Sequence, residues 1–196
     1  MNNDHIWSGT FGDEYNKRND KGFAERQKWW DYVAEKYLFC NVLEIGCNKG
    51  HNLSAISIHL EHPSMAWGVD INETAIEMCK ARNPGLNVVL STGLDLPFKD
   101  HFFEMVFTAG VLIHQSPATV EHMMQEIIRV SSKYVMAIEY DADTFTEVPY
   151  RGLSKALFKG PFGDVYTGRY GLKLIEKLPV GVDVGFDACT AWILER

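Results

Sequence analysis

The stretch that decides the fold is Val42-Leu43-Glu44-Ile45-Gly46-Cys47-Asn48-Lys49-Gly50, a short, mostly apolar run that leads into a turn with two glycines. A run of this kind, bounded by a turn, is typical of a strand buried inside a parallel sheet. Gly46 and Gly50 carry no Cβ, so the backbone of the turn can approach a ligand closely. We therefore predict a first buried strand that delivers a ligand-binding loop.

Composition predicts one globular domain that binds a small ligand. The chain has 196 residues, of which 46% are hydrophobic, enough to form the core of a single domain. The formal net charge is −7 and the sequence pI is near 5.5. A partner bound mainly through its phosphates needs clustered Lys and Arg. We therefore expect a small-molecule partner and no nucleic acid.

Cysteine usage and the N-terminus predict a cytoplasmic protein. Cys40, Cys47, Cys79 and Cys189 are scattered without C-x-x-C spacing, which favours reduced thiols. The N-terminal residues lack the cationic and apolar pattern of a signal peptide, and no segment reaches the roughly 18 apolar residues of a membrane span. We expect no membrane contact and no metal, and the oligomeric state is left open.

Strand and helix patterns alternate along most of the chain, which predicts a parallel sheet with helices on both faces and right-handed crossovers. The clearest amphipathic helix follows Pro117, with apolar residues at helical spacing through Ile128. The other predicted helices are Gly22–Leu38, His51–His62 and Asn72–Arg82. The predicted strands after the first are Met65–Val69, Asn87–Leu90, Met105–Ala109 and Tyr134–Tyr140.

Both ends of the chain depart from this alternation. Residues Trp7–Asn19 mix aromatic residues, glycines and charges without a period, which predicts an irregular segment that becomes ordered over a pocket. After Asp141, one short helical stretch is expected near Leu153–Phe158. Strands near Leu172–Lys177 and Ala188–Leu194 are expected to form a hairpin at the edge of the sheet.

The spacing of the glycines separates the two cofactor classes that use such a loop. A dinucleotide fingerprint, G-x-G-x-x-G, would need glycine at positions 48 and 51, where the chain has Asn48 and His51. The other class is S-adenosylmethionine. In either class the ligand lies beyond the carboxyl ends of the parallel strands.

Acidic residues at the strand ends fit the polar groups of S-adenosylmethionine. Asp70 lies twenty residues after Gly50 and is suited to accept from both ribose hydroxyls, and Ile71 to cover one face of the adenine. Glu44 and the Gly46 carbonyl are suited to accept from the ammonium of the ligand, while amides entering the next helix face its carboxylate. The alternative is that Glu44 and Asp70 are ordinary strand-end acids.

With these residues the sequence resembles class I S-adenosylmethionine-dependent methyltransferases, and more narrowly the pseudaminic acid biosynthesis-associated methylase family of surface-sugar pathways. Asparagine at position 48 is unusual in methyltransferases at large and resembles the pattern of that narrower family. The blocks that carry the narrower resemblance are FGDEYNKRN (11–19), EIGCNKGHNL (44–53), DLPFKDHFFEMVFTAGVLIH (95–114) and YRGLSKALFK (150–159).

The resemblance implies a set of cofactor contacts along the glycine loop, the adenine side and the methionine side. At position 92 the sequence departs from the broad pattern, in which an acid contacts the adenine amino group. Thr92, Asp95 or a backbone carbonyl is left to make that contact. The predicted cofactor-binding residues are Glu44, Gly46, Cys47, Asn48, Gly50, Asp70, Ile71, Thr92, Gly93, Leu94, Gly110 and Val111.

Methyl transfer from a sulfonium needs mainly alignment of donor and acceptor, because the leaving group is already activated. A base is needed only if the nucleophile keeps its proton. His114, just after the fourth predicted strand, is the candidate general base, and its alternative role is to bind backbone and shape the pocket.

Substrate contacts are expected from the segments added to the core. Arginine suits a carboxylate or phosphate, and tyrosine or tryptophan suits a sugar face. Alternatively, Arg18 and Arg151 form ion pairs that hold their loops to acidic neighbours. Arg18 has a further alternative role, which is to cover the cofactor's carboxylate. The predicted substrate-binding residues are Trp7, Tyr15, Arg18, Asn19, Tyr140, Tyr150 and Arg151.

These observations predict an α/β fold with a Rossmann-like, mostly parallel seven-stranded sheet and an antiparallel C-terminal hairpin. One methyltransferase domain is expected over 1–196, with an N-terminal lid (1–21), a cofactor-binding core (22–140), a substrate-side insertion (141–170) and the hairpin (171–196). The expected activity is methylation of a small polar metabolite, a sugar or nonulosonic-acid-type intermediate, on oxygen or nitrogen. The alternatives are another small molecule, nucleic acid or protein as acceptor, or a non-catalytic cofactor-binding module.

Overall fold

The apolar segment at Val42 forms the central strand of a sheet, as predicted. The structure is a computed structural model that describes residues 3–18 and 24–196. All four residues of the strand Val42–Ile45 are buried. Val42 packs into the core on one face of the sheet, whereas Leu43 and Ile45 pack into the core on the other. Because both faces are covered, the strand is an apolar run rather than an alternating pattern.

Seven of the strands in the described part of the chain form one sheet. In chain order the strands are β1 Val42–Ile45, β2 Ala66–Asp70, β3 Asn87–Leu90, β4 Phe103–Ala109, β5 Ser131–Glu139, β6 Thr146–Glu147, β7 Phe158–Lys159, β8 Lys173–Val180 and β9 Cys189–Glu195. The sheet order is β3-β2-β1-β4-β5-β9-β8, and β6 pairs separately with β7. Strands β1 to β5 are parallel, and β9 is antiparallel to both β5 and β8. The predicted sheet and its terminal hairpin are confirmed.

The strand order reverses beside β1. This strand pairs with β2 on one side and with β4 on the other, both in parallel. In open parallel sheets the ligand crevice lies beyond the carboxyl ends of the strands at such a reversal. The loops that follow β1, β2, β3 and β4 therefore surround a single crevice.

Helices cover both faces of the sheet and extend over the crevice. Apolar residues of α3, α4 and α5 pack on one face, and those of α6 and α7 pack on the other. The apolar stripe predicted after Pro117 is buried in α6. The helices are α1 Asp4–Trp7, α2 Thr10–Arg18, α3 Arg26–Lys36, α4 His51–Ser57, α5 Glu73–Arg82, α6 Val120–Val130 and α7 Phe162–Gly168.

The N-terminal segment corrects one prediction, because residues 7–18 are mostly helical rather than irregular. Trp7 ends α1, while Phe11 and Tyr15 lie on α2. The ring centroids of Phe11 and Tyr15 are each 5.4 Å from that of Trp7. Their spacing of four residues is that of one helix face. Glycines and charged residues between these rings made the helical spacing difficult to recognise in the sequence.

The insertion after β5 corrects a second prediction. No helix forms at Leu153–Phe158, where the structure describes every residue. Lys155 within this stretch has φ of 57°, and Arg151 and Gly152 just before it have φ of 50° and 79°. These left-handed angles are incompatible with a continuous right-handed helix. The chain instead enters β7 and then α7, a helix that the sequence analysis did not predict.

Two other predicted helices have different bounds in the structure. Helix α4 ends at Ser57 rather than at His62, and Ile58, the residue after it, is 68% exposed. Helix α3 begins at Arg26, and the predicted start at Gly22 lies outside the described residues. Within 3–18 and 24–196, no helix has the length and apolar character needed to cross a bilayer.

Candidate cofactor and acceptor site

The loop after β1 turns sharply through three left-handed residues. Gly46, Asn48 and Gly50 have φ of 71°, 47° and 78°. Glycine adopts such angles without steric cost, and asparagine tolerates them better than most residues. A Cβ on Gly46 would lie 2.5 Å from a methyl carbon of Val111, so this glycine also permits close approach of the β4 loop. The loop therefore needs glycine at position 46 for two independent reasons.

Asp70, at the end of β2, is fixed by the backbone around it. Its Oδ2 accepts from the Asn48 amide at 2.8 Å, and its Oδ1 accepts from the Asn72 amide at 2.9 Å. Burial raises the pKa of Asp70, and these backbone hydrogen bonds partly oppose the rise. A carboxylate offers about four acceptor sites, so Asp70 keeps acceptor capacity for a ligand hydroxyl beside these backbone contacts.

Glu44, the next-to-last residue of β1, is a buried acid with one open acceptor oxygen. Its side chain is 2% exposed, and Oε1 accepts from Asn52 Nδ2 at 2.6 Å. Oε2 is buried and has no hydrogen-bond partner among the described residues. Burial raises the pKa of Glu44 to about 8. A buried acceptor without a partner is costly, so the cavity at this point calls for a donor from a ligand.

Arg26, the first residue of α3, brings a cation to the same end of the cavity. Its Nη1 donates to Asn52 Oδ1 at 2.9 Å, and its Nε donates to the Gly185 carbonyl at 2.9 Å. The guanidinium lies 4.5 Å from the ring centroid of Phe186. Both Arg26 and Glu44 line the cavity. The Glu44 carboxyl group and the Arg26 guanidinium together match the ammonium and the carboxylate of an amino acid.

Thr92, in the loop after β3, marks the opposite end of the cavity. Its Oγ1 donates to Asp4 Oδ2 at 3.1 Å and accepts from the Leu94 amide at 3.2 Å. Asp4 comes from α1 and lines the cavity together with Thr92 and Gly93. Asp95 is exposed and lies outside the lining. The acid at this end therefore comes from the N-terminal segment.

An amide network ties α2 to the glycine loop. Asn48 Nδ2 donates to Asn16 Oδ1 at 2.5 Å, and Asn16 Nδ2 donates to Asn72 Oδ1 at 2.9 Å. Lys49 Nζ donates to the Asn16 carbonyl at 2.6 Å. Asn16 is 1% exposed. The N-terminal helix is thus a wall of the cavity rather than a loose lead-in.

His114 and an aromatic cluster form the cavity wall beyond β4. His114 Nδ1 lies 2.7 Å from the Ala156 carbonyl, so this nitrogen carries the hydrogen and donates it. Burial lowers the pKa of His114 to about 4, which leaves the ring neutral at physiological pH. Its ring centroid is 4.3 Å from that of Trp7 and 5.4 Å from that of Tyr150. Nε2 is therefore the ring nitrogen with a lone pair for an acceptor hydroxyl.

Glu139, at the end of β5, holds the turn that carries His114. Its carboxylate accepts from the amides of Val111 and Leu112 at 3.1 Å and from that of Ile113 at 3.3 Å. The side chain is fully buried, and burial raises its pKa to about 7. Glu139 thus fixes the backbone after β4 from beneath.

The cavity collects most of the predicted cofactor residues and some of the predicted substrate residues. Gly50 and Leu94 lie outside its lining, as do Arg18, Tyr140 and Arg151. Tyr150 also lies outside the lining but contacts His114. Asn19 lies outside the described residues. The predicted residues that line the cavity are Trp7, Tyr15, Glu44, Gly46, Cys47, Asn48, Asp70, Ile71, Thr92, Gly93, Gly110, Val111 and His114.

The arginines and Tyr140 that lie outside the lining have partners at the surface. Arg18 pairs with Glu14 at 3.4 Å, one helical turn away. Tyr140 donates its hydroxyl hydrogen to Asp187 at 2.9 Å. Arg151 is exposed, and its guanidinium lies 6.0 Å from the ring centroid of Tyr150. In this conformation these residues tie surface segments together.

Several residues in the cavity were not predicted from the sequence. Asp4, Asn16 and Arg26 come from the N-terminal helices, and Asn52 and Gln115 follow the glycine loop and β4. Recognising residues 7–18 as helical would have indicated some of these residues, because Gly12, Tyr15 and Asn16 lie on the side of α2 that lines the cavity. Arg26 precedes the apolar stripe of α3 and carries no local signal.

Comparisons with known proteins agree with this geometry. The family described as "Methyltransferase domain" matches residues 42–133, from β1 to β5. The phthiotriol/phenolphthiotriol dimycocerosates methyltransferase of Mycobacterium tuberculosis is 39% identical over 91 residues, which are 45% of this chain and 33% of that protein. A homologous enzyme of Mycobacterium ulcerans is 37% identical over 67 residues, 33% of this chain and 24% of that protein. The chain thus spans a third or less of the length of these relatives.

Solved structures share the fold over nearly the whole chain. The 1,6-didemethyltoxoflavin-N1-methyltransferase of Burkholderia thailandensis has a TM-score of 0.76 and 11% identity, covering 98% of this chain and 86% of that one. The magnesium protoporphyrin IX methyltransferase of Synechocystis has a TM-score of 0.72 and 12% identity, covering 98% and 97%. A methyltransferase from Aquifex aeolicus has a TM-score of 0.70 and 15% identity, covering 93% and 97%.

The fold is therefore that of class I S-adenosylmethionine-dependent methyltransferases. The predicted fold class is therefore confirmed, and residues 42–133 of this fold match the methyltransferase domain.

Proposed function

We propose that this protein transfers the methyl group of S-adenosylmethionine to a small polar acceptor. The observation that carries the proposal is the placement of Glu44 with Arg26, Asp70 and Ile71 along one cavity at the sheet reversal. These residues supply complementary groups for an amino acid, a ribose diol and a base in the order in which the cofactor presents them. The amino-acid part of the cofactor would lie at Glu44 and Arg26, and its ribose would lie at Asp70.

Each end of the proposed cofactor site has its own chemistry. The unpartnered Oε2 of Glu44 would accept from the cofactor's ammonium, and Arg26 would bind its carboxylate. Asp70 would accept from the ribose hydroxyls, and the tight turn at Gly46 lets the backbone approach the methionine part. When bound, the cofactor supplies an activated methyl group, so the protein's main task is to align the acceptor with it.

The acceptor that we propose is a sugar or nonulosonic-acid-type intermediate of surface polysaccharide synthesis, methylated on oxygen or nitrogen. This class is the one that the resemblance to the pseudaminic acid biosynthesis-associated methylase family implies. Supporting features are the rings of Trp7 and Tyr15, which suit a sugar face, and the neutral hydrogen-bonding groups of His114 and Gln115. His114 Nε2 would accept the hydrogen bond of the reacting hydroxyl and serve as its base.

A second candidate acceptor is a molecule with an aromatic ring. The observation that favours it is the cluster of Trp7, Phe11, Tyr15 and Tyr150 against His114. Offset and edge-to-face ring contacts stabilise aromatic ligands in such sites. The name of the mycobacterial relative specifies phthiotriol and phenolphthiotriol dimycocerosates, and that of the Burkholderia enzyme specifies 1,6-didemethyltoxoflavin.

We further propose that residues 1–196 act as one unit in the cytoplasm, with 1–21 as lid, 22–140 as core, 141–170 as substrate-side insertion and 171–196 as hairpin. The lid assignment is supported by the hydrogen bonds of Asn16 to the glycine loop. The cytoplasmic assignment is supported by the cysteines at 40, 47, 79 and 189, all of which are free thiols.

Two measurements test the proposed function. Calorimetry with S-adenosylhomocysteine should show binding by the wild-type protein and loss of binding by Asp70→Ala, with Asp95→Ala as a control outside the cavity. A screen with methyl-labelled S-adenosylmethionine should then label a sugar acid or sugar in a panel that also contains phenols. Wild-type affinity in Asp70→Ala would overturn the cofactor site, and labelling of phenols alone would select the second candidate.

A further inference from the structure

Three acidic residues line the cavity among the residues that the structure describes, and they lie at three separate strand ends. Glu44 is the next-to-last residue of β1, Asp70 ends β2, and Asp4 reaches the loop after β3 from α1. Since β3, β2 and β1 are consecutive neighbours in the sheet, the acids are arranged as a row. The proposed function uses Glu44 and Asp70 and leaves Asp4 without a role.

The direction in which the cofactor lies along this row follows from charge. The cofactor's ammonium needs a carboxylate and its carboxylate needs a cation. That combination occurs at Glu44 and Arg26 beside β1. The ribose then lies at Asp70, and the base extends past Ile71 toward the loop after β3. The acid at that end is Asp4.

The hydrogen bonds around Thr92 indicate which side chain can accept a hydrogen bond from the adenine. Thr92 Oγ1 already donates its hydrogen to Asp4 Oδ2 and accepts from the Leu94 amide. Asp95, the other nearby acid in the sequence, is exposed and lies outside the cavity lining. A carboxylate offers about four acceptor sites, and the Thr92 hydroxyl takes one of those on Asp4.

The position of Asp4 depends on the N-terminal segment as a whole. Asn3, the residue before it, is 6% exposed and donates to the carbonyls of His114 at 2.8 Å and Lys155 at 2.7 Å. Helix α2 is held by Asn16 against Asn48. Asp4 is therefore fixed from both sides in the chain, in a position to select among bases.

We propose that Asp4 reads the exocyclic amino group of the adenine, so that the N-terminal helix rather than the loop after β3 supplies the acid that selects the base. This inference rests on the proposed function, since it assumes that the cavity binds S-adenosylmethionine. The N-terminal segment then belongs to the cofactor site as well as to the acceptor site.

Binding of two ligands to two proteins tests the proposal. The ligands are S-adenosylhomocysteine and its analogue with purine in place of adenine, which lacks the 6-amino group. The proteins are wild type and Asp4→Ala, with Asp4→Asn as a second variant that keeps the shape of the side chain. Glu14→Ala is the matched control, because Glu14 is an exposed acid on α2 that pairs only with Arg18 among the contacts described.

A hydrogen bond to a charged group predicts that wild type prefers the adenine ligand by about 10-fold or more. Asp4→Ala should lose most of this preference while its affinity for the purine ligand stays within about 2-fold of wild type. Asp4→Asn should lose part of the preference, and Glu14→Ala none.

An unchanged preference in both Asp4 variants would overturn the proposal while leaving the cofactor site intact. Equal loss of affinity for both ligands would also overturn it, because that result assigns Asp4 a purely structural role in the lid. If wild type bound neither ligand, the proposed function itself would fail, and the inference with it.

Discussion

Asn48 Nδ2 donates to Asn16 Oδ1 across 2.5 Å, so the cofactor loop is hydrogen-bonded to a helix 32 residues earlier in the chain. This contact gives Asn48 a role other than touching the cofactor with its side chain. The backbone amide of Asn48 donates to Asp70 Oδ2 at 2.8 Å. One residue thus links Asp70, the glycine loop and helix α2.

The first prediction concerns this Asn16–Asn48 contact. Asn16→Ala and Asn48→Ala should each destabilise the protein by about 1 to 3 kcal/mol, because each leaves a buried or partly buried amide without its hydrogen bond. The double variant should cost less than the sum, since the second substitution removes a group that has already lost its partner. Thermal unfolding of the three variants measures the coupling, with Lys17→Ala as an exposed control on the same helix. Additive effects would show that the contact does not stabilise the fold.

Gly46→Ala is expected to disable the cofactor loop. The backbone has φ of 71° at this position, and the new Cβ would meet a Val111 methyl at 2.5 Å. The left-handed angle alone costs about 1 kcal/mol or more for a residue with a Cβ. We expect a lower melting temperature and loss of S-adenosylhomocysteine binding in calorimetry. Gly168→Ala is the control, because no atom of the described residues lies within 4 Å of its added Cβ; equal behaviour of the two variants would contradict the prediction.

The central sheet could be predicted because its strands are buried on both faces. Leu43 and Ile45 face one core and Val42 the other, so burial itself imposes the apolar run that the sequence shows. The glycine loop was also readable, because Gly46 and Gly50 occupy left-handed positions that few residues tolerate. In both cases a local physical requirement restricts the residue type.

The cavity residues of the N-terminal helices could not be predicted, because their partners are distant in sequence. Asn16 meets Asn72, 56 residues later, and Asp4 meets Thr92, 88 residues later. Arg26 reaches the Gly185 carbonyl across 159 residues. A polar residue on a short helix has the same local pattern whether it faces solvent or a buried partner. Only the tertiary approach of α1, α2 and α3 to the strand ends gives these residues a role.

Glu44 predicts how the stability of the ligand-free protein depends on pH. Its folded pKa of about 8 lies above the ordinary value of 4.5, so the folded state holds this proton more tightly than the unfolded state. Its stabilising contribution is complete below about pH 4.5 and is lost as the pH rises through about 8. Glu139, with a pKa of about 7, acts in the same direction.

Glu44→Gln isolates that contribution, because glutamine cannot ionise. We expect the melting temperature of wild type to fall more than that of the variant between pH 5 and pH 8.5. Glu61→Gln, at an exposed position, is the control and should follow wild type. Parallel curves for wild type and Glu44→Gln would show that Glu44 does not titrate in this range.

Arg26→Gln should weaken binding of the cofactor through its carboxylate alone. The test compares S-adenosylhomocysteine with its decarboxylated analogue, which keeps the ammonium, ribose and base. A charge-assisted hydrogen bond predicts about 10-fold weaker binding of the intact ligand and little change for the analogue. Arg18→Gln is the matched control, because Arg18 lies outside the cavity and pairs with Glu14. Equal losses for both ligands would make Arg26 a structural support for Asn52 rather than a carboxylate ligand.

His114 predicts the pH dependence of methyl transfer. Because burial lowers its pKa to about 4, the ring stays neutral from pH 8 down to about pH 5.5. Turnover of the acceptor identified by the screen should therefore be nearly constant over that range if His114 is the base. A histidine with the ordinary value of about 6.5 would lose about 10-fold in rate at pH 5.5.

Two variants of His114 separate its two nitrogens. His114→Asn can retain the hydrogen bond that Nδ1 makes to Ala156 while removing Nε2, so it should fold and bind S-adenosylhomocysteine but turn over about 100-fold more slowly. His114→Gln can retain an acceptor near the Nε2 position and should keep more activity if the role is to orient the acceptor rather than to take its proton. Full activity in His114→Asn would remove His114 from the reaction and leave it as a wall of the pocket, since only Nε2 has a lone pair to offer.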